Sequence, residues 1–422
     1  MIRFLAQEAA SGALLLAATA VALLWANSAW SASYHDFWNL EIDLTVGSWH
    51  PFVHNGQPLT LEGWVNDALM ALFFFVVGLE ITSEVVVGEL REPRVAALPA
   101  VAAFGGMVAP AAIYTVVNLS GGEMDGWGIP MATDIAFAVG VLVLLGPRVP
   151  RALKLFVLML AIVDDIGAIL VIAVFYTDDL DFAWLALALF GLAAIGLMRR
   201  GRVWYTPVYI VVGLVVWYAT FRSGVHATIA GVAVGVMTPA RPLLGHRRFE
   251  GVEDVLSGDT ADPAGLRDVS WRLRESVSVS SRLSAIISPW TSFLIVPMFA
   301  LANAGVPLSS QALTDAAASP VTIGIVLGLV IGKPLGIVMA TLLTHRRGWA
   351  RLPHGVEPRH IVGAGFVAGI GFTVALFIAD LAFADPALVD QAVIGILAAS
   401  AIASLIGVAI LWKAPQVDRE AT

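Results

Sequence analysis

Residues 153–175 read LKLFVLMLAIVDDIGAILVIAVF, an apolar stretch carrying two adjacent carboxylates, Asp164 and Asp165, near its middle. The run is long enough to cross a hydrocarbon core about 30 Å thick, for which roughly 20 helical residues suffice. Ionisable groups at that depth are costly, so their default reading is an ion or proton pathway. Two further placements repeat the signal: Thr133-Asp134 inside residues 129–145, and Lys333 inside residues 321–343. Together these charges point to a cation transporter.

Composition agrees. The 422 residues are 58% hydrophobic and 13% charged, whereas soluble domains carry roughly 25% charged residues. One polytopic domain over residues 1–422 is expected, with the helix bundle as its core and the lipid bilayer as its surroundings. The absence of cysteine from the chain removes disulfides, thiol redox chemistry and thiolate metal sites. A net charge of −8 argues against nucleic acid as a partner. Residues 1–32 imitate a signal peptide, with Arg3 ahead of an apolar run and small residues around Ser31–Ser33. In so apolar a chain this stretch is expected to be an uncleaved first span.

Apolar runs between polar clusters predict twelve spans, near residues 11–29, 66–87, 95–117, 128–146, 152–175, 182–199, 204–220, 224–240, 287–304, 320–343, 360–380 and 388–412. Of the 24 Lys and Arg, all but Arg222 and Lys333 fall on alternate connections. By the positive-inside rule that side is cytoplasmic, and both termini belong to it. The outer segment over residues 45–60 centres on Asn55-Gly56 between alternating apolar positions, a hairpin signal weakened by Pro51 and Pro58. Such an edge offers a route to a homodimer by strand pairing. Residues 241–282 mix acids, arginines, glycine and proline, and read as a cytoplasmic linker separating eight spans from four.

Two spans read as broken. In the fourth, Gly128 and Pro130 precede Thr133-Asp134; proline donates no backbone N–H, and the Thr133 hydroxyl is expected to cap a new helix start. In the eleventh, Gly363, Gly365, Gly369 and Gly371 loosen the backbone, or allow close helix packing. Irregular backbone at this depth requires protein or a water-filled cavity around it. Breaks in the middle span of residues 95–175 and of residues 320–412, which begin on opposite sides, suggest an inverted three-helix repeat.

Six strings then carry a resemblance. Gly78-Leu79-Glu80, residues 130–137 (PMATDIAF), 161–169 (AIVDDIGAI), 223–228 (SGVHAT), 299–306 (FALANAGV) and 331–336 (IGKPLG) occur in order over nearly the whole chain. They closely resemble the NhaA family of sodium/proton antiporters, which the general account of inverted repeats and broken helices itself includes as an example. The resemblance implies an all-α integral membrane protein of about 12 transmembrane helices, with broken, crossed fourth and eleventh helices. It further implies a homodimer in a bacterial cytoplasmic (inner) membrane, and electrogenic export of Na+ or Li+ in exchange for inward protons. No enzyme activity and no cofactor are implied. Ion binding and proton coupling fall on Asp164 and Asp165, with Thr133 completing the sodium site, Asp134 supporting it and Lys333 balancing charge, paired with Asp164.

The residue chemistry is compatible. Na+ is a hard cation served by oxygen ligands, and carboxylates, a hydroxyl and broken-helix carbonyls supply them. Adjacent helix positions point about 100° apart, so one aspartate is expected to face an aqueous cavity and the other a partner. Glu80 and Glu84 share one helix face and could form a cytoplasmic cation funnel, or be ordinary solvated residues at a helix end. Asp67 could line the outer exit. His226 opens the eighth span and could contribute a pH response, although a structural hydrogen-bonding role is the commoner one. Asn303 is expected to bond broken-helix backbone. Thr82-Ser83 after Glu80, and Ser284, Ala285 and Ser288 before Pro289-Trp290, replace the basic and His-rich residues of enterobacterial members, which leaves the activating pH open.

Competing classes fit less well. An intramembrane aspartyl protease needs a Gly-x-Gly-Asp string that is absent, and a prenyltransferase needs further acids beside Asp164-Asp165 for Mg2+. A retinal pump would use Lys333 as a Schiff base, with far fewer spans. The nearest rival is a sodium-coupled symporter of an organic solute on the same fold.

Overall fold

A computed structural model describes residues 2–45, 47, 50–54, 57–177, 180–243, 270 and 275–414, with side chains from residue 10 onward. Almost every described segment is helical. Among the described residues, eight helices are long and apolar enough to cross a membrane: Leu61–Val86, Pro93–Asn118, Asp125–Leu144, Arg151–Phe175, Phe182–Arg200, Val279–Asn303, Pro320–Arg346 and Pro386–Trp412. Two bent pairs, Ala10–Ala26 with Ser31–Trp38 (116°) and Pro358–Ala368 with Phe372–Ala382 (45°), bring the number to ten. The expected twelve also counts the shorter apolar helices Thr206–Arg222 and Ala227–Met237. The latter has 11 residues, a rise of only about 17 Å at 1.5 Å per residue. The protein is a multi-pass, all-α membrane protein, and large apolar side chains such as Leu24, Phe104, Val174, Phe190 and Leu405 stand exposed where lipid would cover them.

Local sequence explains where helices start. Thr60 accepts from the Gly63 N–H at 3.1 Å at the head of Leu61–Val86, Asp181 accepts from Ala183 and Trp184 at the head of Phe182–Arg200, and Asp385 accepts from Ala387 at the head of Pro386–Trp412. Each short polar side chain satisfies donors that have no partner inside the helix, typically worth about 1 kcal/mol.

The chain divides into two compact units. The first comprises Met1–Leu69, Glu92–Tyr176 and Ser292–Thr422. Within it Pro93–Asn118 and Pro320–Arg346 press together backbone to backbone, since a Cβ on Gly105 would lie 2.5 Å from the Gly336 carbonyl oxygen. Small residues allow this approach, which dispersion then rewards. The second unit comprises Met70–Arg91 and Thr177–Thr291, around a core of Leu79, Ile195, Tyr209, Val216, Ala230, Val234, Val279 and Leu283.

In residues 45–60 two short strands pair antiparallel, Val53 opposite Pro58 and His54 opposite Gln57; Asn55 and Gly56 lie outside the described residues. Most of the 241–282 segment, residues 244–269 and 271–274, also lies outside them.

Candidate functional site

The first unit brings both breaks together. The fourth span is a 3-10 turn, Asp125–Met131, then an extended stretch, then the α-helix Ile135–Leu144. The eleventh is Pro358–Ala368, then Gly369-Ile370-Gly371, then Phe372–Ala382. Side chain and backbone stitch them to one another: the Asp134 N–H donates to the Ile370 carbonyl at 2.7 Å, and Thr133 Oγ1 lies 2.9 Å from the Ala368 carbonyl.

The expectation that Thr133 caps the new helix is corrected. Asp134 is the cap, its Oδ1 accepting from the Phe137 N–H at 2.9 Å. Its Oδ2 accepts from the backbone N–H and the hydroxyl of Thr373, at 3.1 and 2.7 Å. Thr373 sits in the first turn of Phe372–Ala382, so one carboxylate serves the positive ends of two half-helices. Thr133 is thereby released to reach the fifth span, where its hydroxyl donates to Asp164 Oδ2 at 2.7 Å. One hydroxyl proton thus has two acceptors, Asp164 and Ala368, and can serve only one at a time.

Lys333 completes the cluster. Its ammonium lies 2.5 Å from Asp164 Oδ2, and it also donates to the Met131 carbonyl at the end of the 3-10 turn, where positive charge opposes the helix-end dipole. Lys333 and Asp164 are both at 0% exposure, Asp134 at 2% and Asp165 at 3%. Neither member of the aspartate pair therefore faces open solvent in this conformation. Asp164 is the one turned towards the lysine, while its Oδ1 accepts no hydrogen bond from the described residues. An oxygen buried in that state is a ready acceptor for a proton or a hard cation.

The remaining residues singled out in the sequence lie elsewhere. Asn303 does not bond broken-helix backbone: its Nδ2 donates to Phe299 in its own helix and to Asn66 Oδ1, each at 2.9 Å. Asn66 Nδ2 donates back to Asn303 at 3.1 Å and to Asp380 Oδ2 at 3.0 Å. A nearby primary amide offers both donor and acceptor, so it outcompetes backbone already committed to a helix. Asp67 lies beside this network, within electrostatic reach of Asp380. Glu80, Glu84 and His226 belong to the second unit. Glu84 Oε2 accepts from the Glu89 N–H at 3.1 Å beyond the helix end, and His226 holds the N-cap position of Ala227–Met237 through its backbone, its side chain making no cap hydrogen bond. Sequence reasoning missed Thr373, Asn66 and Asp380; the one available signal was Asp380 as the lone acid in the apolar run of residues 366–383.

Two broken helices stitched at their breaks, around a fully buried lysine–aspartate pair, define a membrane transporter of small cations. The chain belongs to the family described as Na+/H+ antiporter 1, whose pattern matches residues 2–411. It is 49% identical over 415 residues to Na+/H+ antiporter NhaA 3 of Frankia alni, covering 97% of this chain and 87% of that one. It is 46% identical to NhaA 2 of Myxococcus xanthus (97% and 88% covered) and 46% identical to NhaA of Oleidesulfovibrio alaskensis (96% and 92%). Proteins of this family are transporters rather than enzymes, and they need no cofactor, because the ions they move are substrates.

Proposed function

We propose that the protein exports Na+ (and Li+) in exchange for inward protons, with the two ions competing for Asp164 and Asp165. The single observation that carries this reading is the Thr133–Asp164–Lys333 cluster, sealed from solvent at the crossing of two helix breaks. The family membership supports sodium/proton antiport as the activity.

The geometry suggests how exchange works. Lys333 compensates ionised Asp164 while the site is empty of Na+. A cation arriving among Asp164, Asp165 and Thr133 competes for the same oxygen, so the ammonium must give way and the Thr133 hydroxyl can turn to Ala368. A proton on the pair relieves the same charge, so Na+ and protons exclude one another. Coupling requires only that loaded forms alternate between the two faces and the empty ionised form does not. If more than one proton enters per Na+, each elementary charge gains about 2.3 kcal/mol per 100 mV, which makes the exchange electrogenic.

Further readings follow the sequence: a bacterial inner-membrane location with twelve crossings and cytoplasmic termini, a cytoplasmic funnel at Glu80 and Glu84, a pH response involving His226, and a homodimer formed through the outer hairpin. The test is Na+-driven proton movement in proteoliposomes over a pH series, comparing wild type with Asp165→Asn. Proton flux that follows the Na+ gradient and vanishes in the variant is the expected result. No proton flux at any pH would overturn antiport and favour Na+-coupled transport of an organic solute; flux persisting in the variant would overturn the role of Asp165.

A further inference from the structure

The tenth span is not a continuous α-helix. Residues Gly328–Gly332 form a π-helical turn directly before Lys333, and such turns are rare and gather at functional sites. Here the turn leaves the Leu329 carbonyl without a helical donor. In an α-ladder the Leu329 carbonyl would accept from the N–H of Lys333, but that N–H donates to Gly328 instead. In a π-ladder it would accept from residue 334, which is proline and has no N–H. Leu329 is fully buried, and a buried carbonyl without a partner costs free energy comparable to a lost hydrogen bond.

That oxygen points at the crossing. A Cβ added to Gly369 would stand 2.5 Å from it, so glycine is what admits the oxygen to the eleventh-span break. The neighbouring Ala368 carbonyl is the one beside the Thr133 hydroxyl, which in turn reaches Asp164. The Leu329 side chain and the Ala132 carbonyl both lie within 3.3 Å of where a Gly371 Cβ would be. We propose that the Leu329 carbonyl is a further oxygen ligand for the transported monovalent cation at the crossing of the breaks, freed for that purpose by the π-turn and Pro334. This inference rests on the proposed Na+/H+ exchange and extends its ligand set to the tenth span.

Pro334→Ala tests it by supplying an N–H that can donate to Leu329, and Gly369→Ala by placing a methyl group against the oxygen. In proteoliposomes both variants should raise the apparent KM for Na+ about tenfold, the weight of one contact to a charged group, with the maximal rate of Pro334→Ala retained. A second measurement uses the native fold: infrared difference spectra on adding NaCl to protein labelled with 13C-carbonyl leucine. The leucine band absent from Leu329→Met should shift with NaCl and not with choline chloride. Wild-type exchange with an unchanged KM in Pro334→Ala, or no Na+-dependent shift of that band, overturns this inference alone; a wild type that exchanges no ions overturns the underlying function.

Discussion

Replacing Lys333 by methionine should expose how the buried pair is balanced. The ammonium lies 2.5 Å from Asp164 at 0% exposure for both residues, and it also serves the Met131 carbonyl. Removing one partner of such a pair leaves an uncompensated buried charge, which costs about 3–5 kcal/mol. Replacing both members by neutral groups of similar volume is often close to neutral. Lys333→Met and Asp164→Asn should therefore each lower unfolding stability by about 3–5 kcal/mol, while the double variant should lose less than either single variant, far short of the sum of the two losses. Thermal unfolding of the purified wild type, both single variants and the double variant, in one detergent and at fixed pH and salt, supplies the cycle. Losses that simply add would refute the reasoning, because they would mean that the two side chains do not depend on each other.

Other perturbations test neighbouring contacts. Thr133→Val removes the hydroxyl that reaches Asp164 and should raise the apparent KM for Na+ roughly tenfold, while Thr133→Ser restores it; transport assays in proteoliposomes decide this. Asp134→Ala removes the cap of one half-helix and the acceptor for Thr373, and should cost about 2–4 kcal/mol in thermal unfolding; Asp134→Asn keeps one acceptor oxygen but turns an NH2 donor towards the other buried N–H, and should cost about 1–3 kcal/mol. Burial pushes the Tyr176 phenol up from 10.0 to about 12. Its contribution is fully present below pH 10 and is lost as pH rises towards 12, because the unfolded chain ionises first. Stability should thus fall by up to roughly 3 kcal/mol across that window, at about 1.36 kcal/mol per unit. Tyr176→Phe should lack this component in pH-dependent unfolding curves.

The readable parts of this chain were those in which cost alone carries the signal. Asp164, Asp165, Asp134 and Lys333 stand out in apolar runs because nothing but function keeps charge there. The fourth-span break was legible from Pro130 beside two potential capping residues, yet which one caps was not: both have the right oxygen, and the choice depends on Ala368 and Thr373, more than 230 residues away. Asn303 was placed wrongly for the same reason, its partner Asn66 being 237 residues distant. Asp380 was missed because an acid close to a span end reads as solvated. The π-turn before Lys333 left a trace in Pro334, but proline alone does not say whether a helix kinks, breaks or widens. Local pattern gives positions; partners come from the fold.

The central claim is that Na+ and protons exclude one another on the aspartate pair. Calorimetric titration of purified protein with NaCl, repeated in buffers of different ionisation enthalpy, counts the protons released for each Na+ bound. At least one proton should be released per Na+ at a pH where the empty site is protonated, and the release should disappear with Asp164→Asn/Asp165→Asn. Na+ binding of unchanged affinity from acid to alkaline pH, with no proton released, would contradict the account.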